Sequence, residues 1–480
     1  MKNRFLPAMA GFCVLVLCIF GLLAPVLGGL QRQPPTAPTG AGPAQTQPRP
    51  TPKPIPKPTP PPINPVVNNC NITPPNAPIN STLLASGLPC TLTAVPPFDL
   101  DNLQHAFDFN SWLTFLSLNA PASGGVIGKD APTVWQNWAE VEDVFLPHGQ
   151  PPRPWGSPPV RPAICPKGTT MPILRMVGKT PNVLSTVIQP FNTGPLIDQN
   201  GQYVHYEIVI NQPMFEYIVQ NHLYSQEGQN AFAGPTKFPE GTLTQGQTGT
   251  IGAIVVKASW KVLNLNKEKA SDFHSAQVLI YIPPQDNPKI QEKCYAATVG
   301  LVGLHIVHRT QGEPQWIWAT FEHIDNDPTL AAVQSNQLQG HYNFFNPKCT
   351  DCAVNHQPPR PWNPNIVPFP KGYTSQIVRL TDLTDEAKKL NSAFQGILPD
   401  TVWQHYMLIS TQWPTDGQSK IDPNGVPAPT FLGNSTLETY IQGTVPQSSS
   451  SCMACHGNAT DTTGRPSNFT YVLERAQSTK

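Results

Sequence analysis

The residues best suited to chemistry lie in the segment 451–456, which reads Ser-Cys-Met-Ala-Cys-His. Two cysteines three positions apart fit on one helical turn, where each thiol can form a thioether to a vinyl group of a haem. The histidine that follows them can then ligate the iron, for which imidazole is a usual axial ligand. The pattern predicts one covalently attached haem c, bound through Cys452, Cys455 and His456.

A cysteine pair of this spacing has two other uses, as a thioredoxin-like redox motif or as half of a zinc site. No predicted strand precedes the pair, and no second pair lies at the distance along the chain that a zinc site requires. The N-terminus also predicts export from the cytoplasm. These observations favour haem attachment over both alternatives.

The residues after the motif bear on the second axial ligand. Residues 457–480 contain no histidine and no methionine, whereas small soluble cytochromes c usually take a methionine downstream of the attachment site. We therefore expect the segment upstream to supply the distal ligand, or the iron to be five-coordinate. In either case the upstream segment is expected to enclose the haem.

The N-terminus predicts residence outside the cytoplasm. Lys2 and Arg4 precede an uncharged apolar run from Phe5 to Leu30, which is typical of an export signal. The run is long enough to span a bilayer, but its exit at 26–29 also suits cleavage, so residues 1–30 are either an inner-membrane anchor or a signal peptide. Residues 31–66 are proline-rich and predict a disordered, extended linker. The expected location is the periplasm, tethered to the inner membrane, or the exterior if the signal is cleaved.

Composition indicates which classes of partner are excluded and in which redox compartment the protein lies. The chain has 30 basic and 30 acidic residues, so no charge surplus indicates a nucleic-acid partner. Six cysteines remain outside the export segment and the haem motif, an even number that indicates disulfides in an oxidising compartment. Spacing suggests that Cys70 pairs with Cys90, while Cys349 and Cys352 could pair with each other or with separate partners.

Hydrophobic periodicity predicts an α+β fold with a mainly antiparallel, sandwich-like β body and helices at both ends. The best-defined feature is an antiparallel hairpin of 298–309 and 315–324. Helices are predicted at 108–118 with Asn110 as cap, 133–145 with Thr133 as cap, 215–224, 387–394, 434–440 with Asn434 as cap, and 468–476. Further strands are predicted at 203–211, 251–263, 276–282 and 402–413. The aromatic stripe of the 133–145 helix is expected in the core. We divide the folded part into a body, 67–445, that encloses the haem and a C-terminal attachment segment, 446–480, that packs on it.

Two histidines of the hairpin are the best candidates for the distal ligand. His305 lies on the same side of its strand as Gly303, where the glycine leaves room for a bulky planar group. His323 ends the partner strand, with Glu322 and Asp325 near enough to orient its ring. The acidic run from Glu322 to Asp327 could also hold calcium, although it lacks the spacing of an EF-hand and is better interpreted as a solvated turn.

Several of these pieces resemble a family of exported bacterial proteins labelled "cytochrome c family protein". They are the segments 303–310 (GLHIVHRT), 314–326 (PQWIWATFEHIDN) and 451–456 (SCMACH), with weaker matches at 112–119, 345–346 and 403–413. The resemblance covers about Phe107 to Ala476 and leaves out the proline-rich linker. It implies covalent haem and residence outside the cytoplasm. No activity is assigned to the family, so it implies no catalytic residues.

The function expected from the sequence is that of a membrane-tethered periplasmic monohaem c-type cytochrome. It would carry single electrons to or from a redox partner protein or a small redox substrate. The alternative is a haem-dependent oxidoreductase, peroxidase-like or oxygenase-like, with an open distal site. The size of the body around one haem is the argument for that alternative. A haem-based sensor is a third and weaker hypothesis, because almost nothing cytoplasmic exists to receive a signal.

Overall fold

The folded part of the chain is seen in a computed structural model, which describes residues 73–91, 100–128, 131–175, 190–243, 249–286, 289–313, 315–338, 340–370, 372–415, 426–443 and 450–480. All of these belong to one compact unit, Pro60–Lys480. The predicted signal or anchor (1–30) and the predicted linker (31–66) lie outside the described residues. No helix within the described ranges is long and apolar enough to cross a membrane.

A nine-stranded sheet, antiparallel except for one strand pair, organises the described residues and confirms the predicted α+β class. Strand β8 is its centre, because its first half pairs with β7 and its second half lies between β6 and β9. From there the sheet continues through β6 and β3 to β1 on one side, and through β9 and β10 to β11 on the other. The strands are β1 Ala139–Glu140, β2 Ile173–Leu174, β3 His205–Ile210, β4 Thr242–Leu243, β5 Gly249–Thr250, β6 Ile254–Val262, β7 Ser275–Ile282, β8 Lys293–His308, β9 Ile317–His323, β10 Tyr406–Pro414 and β11 Pro427–Ala428.

Helices cover both faces of the sheet. The α-helices are α1 Leu100–Leu118, α2 Val141–Val144, α3 Gln212–Gln220, α4 Gln226–Ala231, α5 Leu330–Gln334, α6 Asp385–Gly396 and α7 Cys452–His456. Single 3-10 turns lie at Ser81–Ala85, Trp135–Asn137, Pro147–Gly149, Pro190–Asn192, Ala270–Asp272, Val402–His405 and Tyr471–Arg475.

The sheet is buried on both sides, because its central strands alternate between two hydrophobic cores. On one face, Ile306 and Phe321 pack with α1 and α6. On the other face, Val307 and Trp318 pack with α3 and with Met453 of α7. The haem motif therefore lies on the second face.

The predicted hairpin is confirmed. Strands β8 and β9 pair antiparallel, with His305 opposite Thr320 and Gly303 opposite Glu322. A strand at 402–413 is correct from Tyr406 onward, whereas residues 402–405 form a 3-10 turn.

The helix predicted at 133–145 is wrong. It is broken into a 3-10 turn, strand β1 and the single turn α2. The cause is tertiary, because Ala139 and Glu140 pair with Val209 and Ile210 of β3, and strand pairing there replaces the helical hydrogen bonds. The aromatic residues of the stripe still enter the core as expected, and Trp135 is fully buried.

Three other helix predictions differ from the structure. Helix α1 begins at Leu100, so Asn110 lies in its interior and does not cap it. Residues 434–440 form turns rather than a helix, although the Asn434 side chain accepts N–H bonds from Thr436 and Leu437. Near the C-terminus only one 3-10 turn forms, because Asn468 and Phe469 have φ of 56° and 64°, which a right-handed helix cannot contain.

Two disulfides are seen within the described residues, joining Cys165 to Cys294 and Cys349 to Cys352. Cys349 and Cys352 therefore pair with each other and not with separate partners. Cys90 is also disulfide-bonded, and Cys70, its expected partner, lies outside the described residues. The Cys165–Cys294 bond closes a longer loop than the Cys349–Cys352 bond, because its cysteines are 129 positions apart.

Candidate haem site

The Cys-x-x-Cys-His motif forms the single helical turn α7, as its spacing predicts. Ser451 caps this turn by accepting the backbone N–H of Ala454 through its side chain, which is the usual role of serine at this position. Gln412 of β10 holds the same end, because its Oε1 accepts from the Met453 N–H at 2.8 Å. Met453 is fully buried in the core, whereas Cys452 and Cys455 are only partly buried.

His456 is positioned so that one ring nitrogen is fixed and the other faces the sheet. Its Nδ1 lies 2.9 Å from the carbonyl oxygen of Phe469, and since a carbonyl can only accept, Nδ1 carries the proton. Phe469 has a left-handed backbone conformation. For a residue other than glycine, this conformation costs about 1 kcal/mol or more of conformational free energy. Nε2 is left with its lone pair, 3.5 Å from Nζ of Lys257.

Aromatic side chains pack against the partly buried His456 ring. Its centroid lies 4.5 Å from that of Trp318 and 5.1 Å from that of Tyr471. The burial of the ring, together with the charge of Lys257, holds the pKa of His456 well below its usual value. The imidazole is therefore neutral, which is the form that binds a metal.

Cys452, Cys455 and His456 line one cavity of about 280 Å³. Both cysteines are thiols and both are partly buried. The polar part of the cavity wall includes Lys257, His305 and Glu438, and the apolar part includes Ile208, Val307, Trp318, Leu432 and Ile441. Mostly apolar walls with a few converging polar groups are typical of a cofactor site.

His305 contributes to this cavity from the sheet. It lies opposite Lys257 on β6 and opposite Thr320 on β9, so the three side chains project from the same face. Its Nδ1 is 2.7 Å from the Thr320 hydroxyl oxygen and its Nε2 is 2.9 Å from a carboxylate oxygen of Glu438. The structure thus brings His305 together with the motif, as predicted, with both of its ring nitrogens hydrogen-bonded.

The space at Gly303 serves a different purpose from the one expected. A Cβ at this position would lie 2.1 Å from Oγ1 of Thr436 and 2.6 Å from Oγ of Ser259. The glycine therefore admits the 434–437 turn to the sheet rather than a planar cofactor.

His323 is not brought to the motif. Its Nε2 donates to the carbonyl oxygen of Asp272 at 2.9 Å and its Nδ1 accepts from the Asp325 N–H at 3.2 Å. Burial lowers the pKa of His323 to about 3. It is five residues along β9 from Trp318, or roughly 16 Å at the rise of a strand. Trp318, by contrast, contacts His456 directly, so His323 is a hydrogen-bonded core residue in this arrangement.

In the acidic run near His323, Asp325 is exposed, as expected of a solvated turn, but Glu322 and Asp327 are buried. Asp327 is 3% exposed and Glu322 is fully buried. Arg379 lies 2.8 Å from a Glu322 oxygen and 3.6 Å from Asp327, and Ser435 donates twice more to Glu322. A guanidinium thus occupies the position that calcium would need, and Glu322 does not orient His323.

No group of three or more His, Cys, Asp and Glu side chains within the described ranges could hold a bare metal ion. A haem iron does not need three protein ligands, because the porphyrin supplies four ligands and the protein supplies one or two.

Comparison with known families, proteins and structures finds no match. No protein-family model, no curated protein and no solved structure matches this chain. The resemblance to the cytochrome c family stays a prediction, and the case for a function rests on the residues of the site.

Those residues suit a covalent haem. Two thiols on one turn, a neutral imidazole whose Nε2 lone pair faces Lys257, and apolar walls lie around one cavity. Cys452 and Cys455 would hold the vinyl carbons and His456 the iron.

Sequence analysis did not identify Lys257, Glu438, Trp318, Tyr471 or Phe469 as parts of the site. One signal for Lys257 was present, because it is one of two lysines, with Lys261, in a strand, Ile254–Val262, that is otherwise apolar apart from Ser259. Such a residue is retained only where it has a polar environment or a role. Glu438, Phe469 and Tyr471 lie within 18 positions of His456 and Trp318 lies 138 positions away, but no local pattern assigns any of them to the site.

Proposed function

We propose that this protein is a monohaem c-type cytochrome that carries single electrons. The observation that supports this best is the convergence of both motif thiols and the lone pair of His456 on one cavity against the sheet. The bond between Nδ1 and the Phe469 carbonyl fixes the ring, as the remaining nitrogen of a metal-binding histidine normally requires.

Attachment would join each thiol to one vinyl group. The sulfur of Cys452 or Cys455 bonds to one vinyl carbon while a hydrogen is added to its neighbour, so two thioethers form and nothing leaves. The bound haem then supplies one-electron redox chemistry. The protein holds the neutral imidazole of His456 in place, and Trp318 and Tyr471 exclude water from that side of the ring.

Strands β6 and β8 carry Lys257 and His305 into the cavity, where either side chain would be available to hold the haem. The partner is proposed to be a redox protein or a small redox substrate. The site of action is proposed to be the periplasm, with residues 1–30 as the tether and 31–66 as the spacer.

Mass spectrometry of the protein matured in a haem-ligating host tests the proposal. The peptide containing Cys452 and Cys455 should carry the mass of one haem. Cys452→Ala with Cys455→Ala should abolish this addition. The matched control is Cys349→Ser with Cys352→Ser, which removes a pair of the same spacing that is not followed by histidine. An unmodified 452–455 peptide in the wild-type protein would refute the proposal.

Absorption spectra with and without carbon monoxide separate electron transfer from the alternative. A six-coordinate, low-spin iron that does not bind carbon monoxide is expected of an electron carrier. A high-spin iron that binds it readily would instead indicate a haem-dependent oxidoreductase with an open distal face.

A further inference from the structure

The carbonyl group that fixes His456 belongs to a turn of uncommon backbone conformation. Nδ1 of His456 donates to the carbonyl oxygen of Phe469 at 2.9 Å, and Asn468 and Phe469 have φ of 56° and 64°. Asparagine adopts a left-handed conformation more readily than most residues, whereas phenylalanine does so only at an energetic cost. Contacts with the rest of the protein must therefore hold this turn in place.

The side chain of Asn468 makes such contacts with the body. Its Oδ1 accepts the backbone N–H of Phe238 at 3.0 Å and also accepts an N–H of the Arg309 guanidinium. Both donating residues are buried, whereas Asn468 is half-buried. One amide oxygen thus binds the turn to two donors that lie in the interior.

Arg309 is itself fixed to the sheet, immediately after the end of β8. Its backbone N–H donates to the carbonyl oxygen of Ala253 at 3.0 Å, and its carbonyl oxygen accepts the N–H of Gly241 at 2.8 Å. Its guanidinium lies 3.7 Å from a carboxylate oxygen of Glu240. The contact with Asn468 therefore ties the turn to the sheet and not merely to another loop.

A further bond closes the turn around Phe469. The hydroxyl of Ser467 donates to the carbonyl oxygen of Thr470 at 2.6 Å, across the two left-handed residues. Because this bond fixes the two ends of the turn and Asn468 fixes the turn to the sheet, the Phe469 carbonyl is directed at the imidazole. The partner of Nδ1 is thereby held at a fixed position.

We infer that Asn468, held by Arg309, is the positioning residue for His456. It keeps the bond between Nδ1–H and the Phe469 carbonyl formed, although it contacts neither the imidazole nor the cavity. A hydrogen bond donated by one ring nitrogen raises the basicity of the other, so with haem attached it would favour ferric iron and lower the reduction potential. The effect on the potential rests on the proposed function, whereas the effect on the imidazole does not require haem.

The first experiment measures the imidazole in the full-length chain produced without haem attachment. Nitrogen-15 NMR of histidine-labelled protein reports how fast the Nδ1 proton of His456 exchanges with water, and His456→Gln assigns its signal. Asn468→Gly keeps the left-handed backbone and loses the acceptor, so exchange should become at least about tenfold faster. Asn468→Asp keeps an acceptor oxygen and should retain slow exchange. Equally slow exchange in Asn468→Gly would overturn the inference.

The second experiment measures the reduction potential after mass spectrometry has established covalent haem. At a fixed solution potential, Asn468→Gly should raise the ratio of ferrous to ferric iron by about tenfold, which corresponds to about 59 mV. Asn468→Asp should stay close to the wild-type protein. An unchanged potential in Asn468→Gly would overturn the inference while leaving haem attachment intact.

Two controls separate positioning from a loss of stability. Asn336 is an exposed asparagine that is also left-handed, with φ of 54°, and Asn336→Gly should move neither readout. His323→Ala removes buried hydrogen bonds elsewhere and should lower stability without changing proton exchange at His456 or the potential. A shift of either readout in these controls as large as that in Asn468→Gly would assign the effect to stability and overturn the inference.

A second variant keeps the inference testable if Asn468→Gly fails to accumulate. Arg309→Gln removes the guanidinium that holds Asn468 and should accelerate exchange of the His456 Nδ1 proton; no acceleration would overturn the inference. If the wild-type chain carries no haem after maturation in a haem-ligating host, the proposed function fails, and the exchange measurement still decides the role of Asn468.

Discussion

The side-chain oxygen of Gln412 accepts the backbone N–H of Met453 at 2.8 Å and also lies 3.2 Å from the hydroxyl of Ser451. One residue of strand β10 thereby fixes the start of the helical turn that carries the haem motif. The amide nitrogen of Gln412 donates in turn to the carbonyl oxygen of Pro429 at 2.7 Å. The motif is therefore tied to the sheet by a buried polar network as well as by the apolar side chain of Met453.

We expect Gln412→Leu to destabilise the protein by about 2–4 kcal/mol, because two buried donors and one buried acceptor lose their partner. The free energy of unfolding in urea measures this effect. Gln277→Leu is the control, since Gln277 makes its bond to Thr298 on the exposed face of β7. Equal stability of the two variants would contradict the assigned role of the network.

We expect His323→Ala to destabilise the fold by about 2–4 kcal/mol and to leave the haem spectrum unchanged. The substitution leaves the Asp272 carbonyl and the Asp325 N–H without their partners and removes a ring stacked 4.5 Å from Phe273. Unfolding and absorption spectroscopy measure the two effects, with exposed His222→Ala as control. A spectral change in a folded His323→Ala protein would instead assign His323 to the haem.

Asp108 should make stability depend on pH. Burial raises the pKa of its carboxyl to about 7, although hydrogen bonds from Thr411 and Gln104 oppose the shift. The unfolded chain gives up this proton near pH 4, so the folded state binds the proton more tightly between these two values. The stabilisation is complete below about pH 4 and is lost as the pH rises to about 7.

The measurement is the difference in unfolding free energy between the wild-type protein and Asp108→Asn at several pH values. This difference should fall by up to about 4 kcal/mol from pH 4 to pH 8, because asparagine does not titrate. Asp101→Asn, at an exposed position on the same helix, should show no such trend. A flat difference for Asp108→Asn would show that the carboxyl is ionised throughout.

The two disulfides should differ in their effect on stability. Removing the Cys165–Cys294 bond, which closes a loop of 129 positions, should cost about 5 kcal/mol through the entropy of the unfolded chain. Removing the Cys349–Cys352 bond, whose cysteines are three apart, should cost roughly 2 kcal/mol. Paired serine variants compared in urea unfolding measure the contrast, and a larger loss for the local pair would contradict it.

The sequence determined those features that depend on neighbouring residues. The single turn at 452–456 and its serine cap follow from local spacing, and the β8–β9 hairpin follows from two apolar runs joined by a turn-rich segment. The same local pattern failed at 133–145, where strand pairing with β3 outweighs helical periodicity.

Tertiary structure alone decided which side chains surround the motif. Lys257 and Phe469 are about 200 and 13 positions from His456 in sequence, and no periodicity in the chain relates the three. Strand order and register place Lys257 beside His305, and the left-handed turn at Phe469 directs its carbonyl to the imidazole. The motif predicts the cofactor because covalent attachment needs only adjacent residues, whereas the residues that face the motif are set by packing between elements that are distant in sequence.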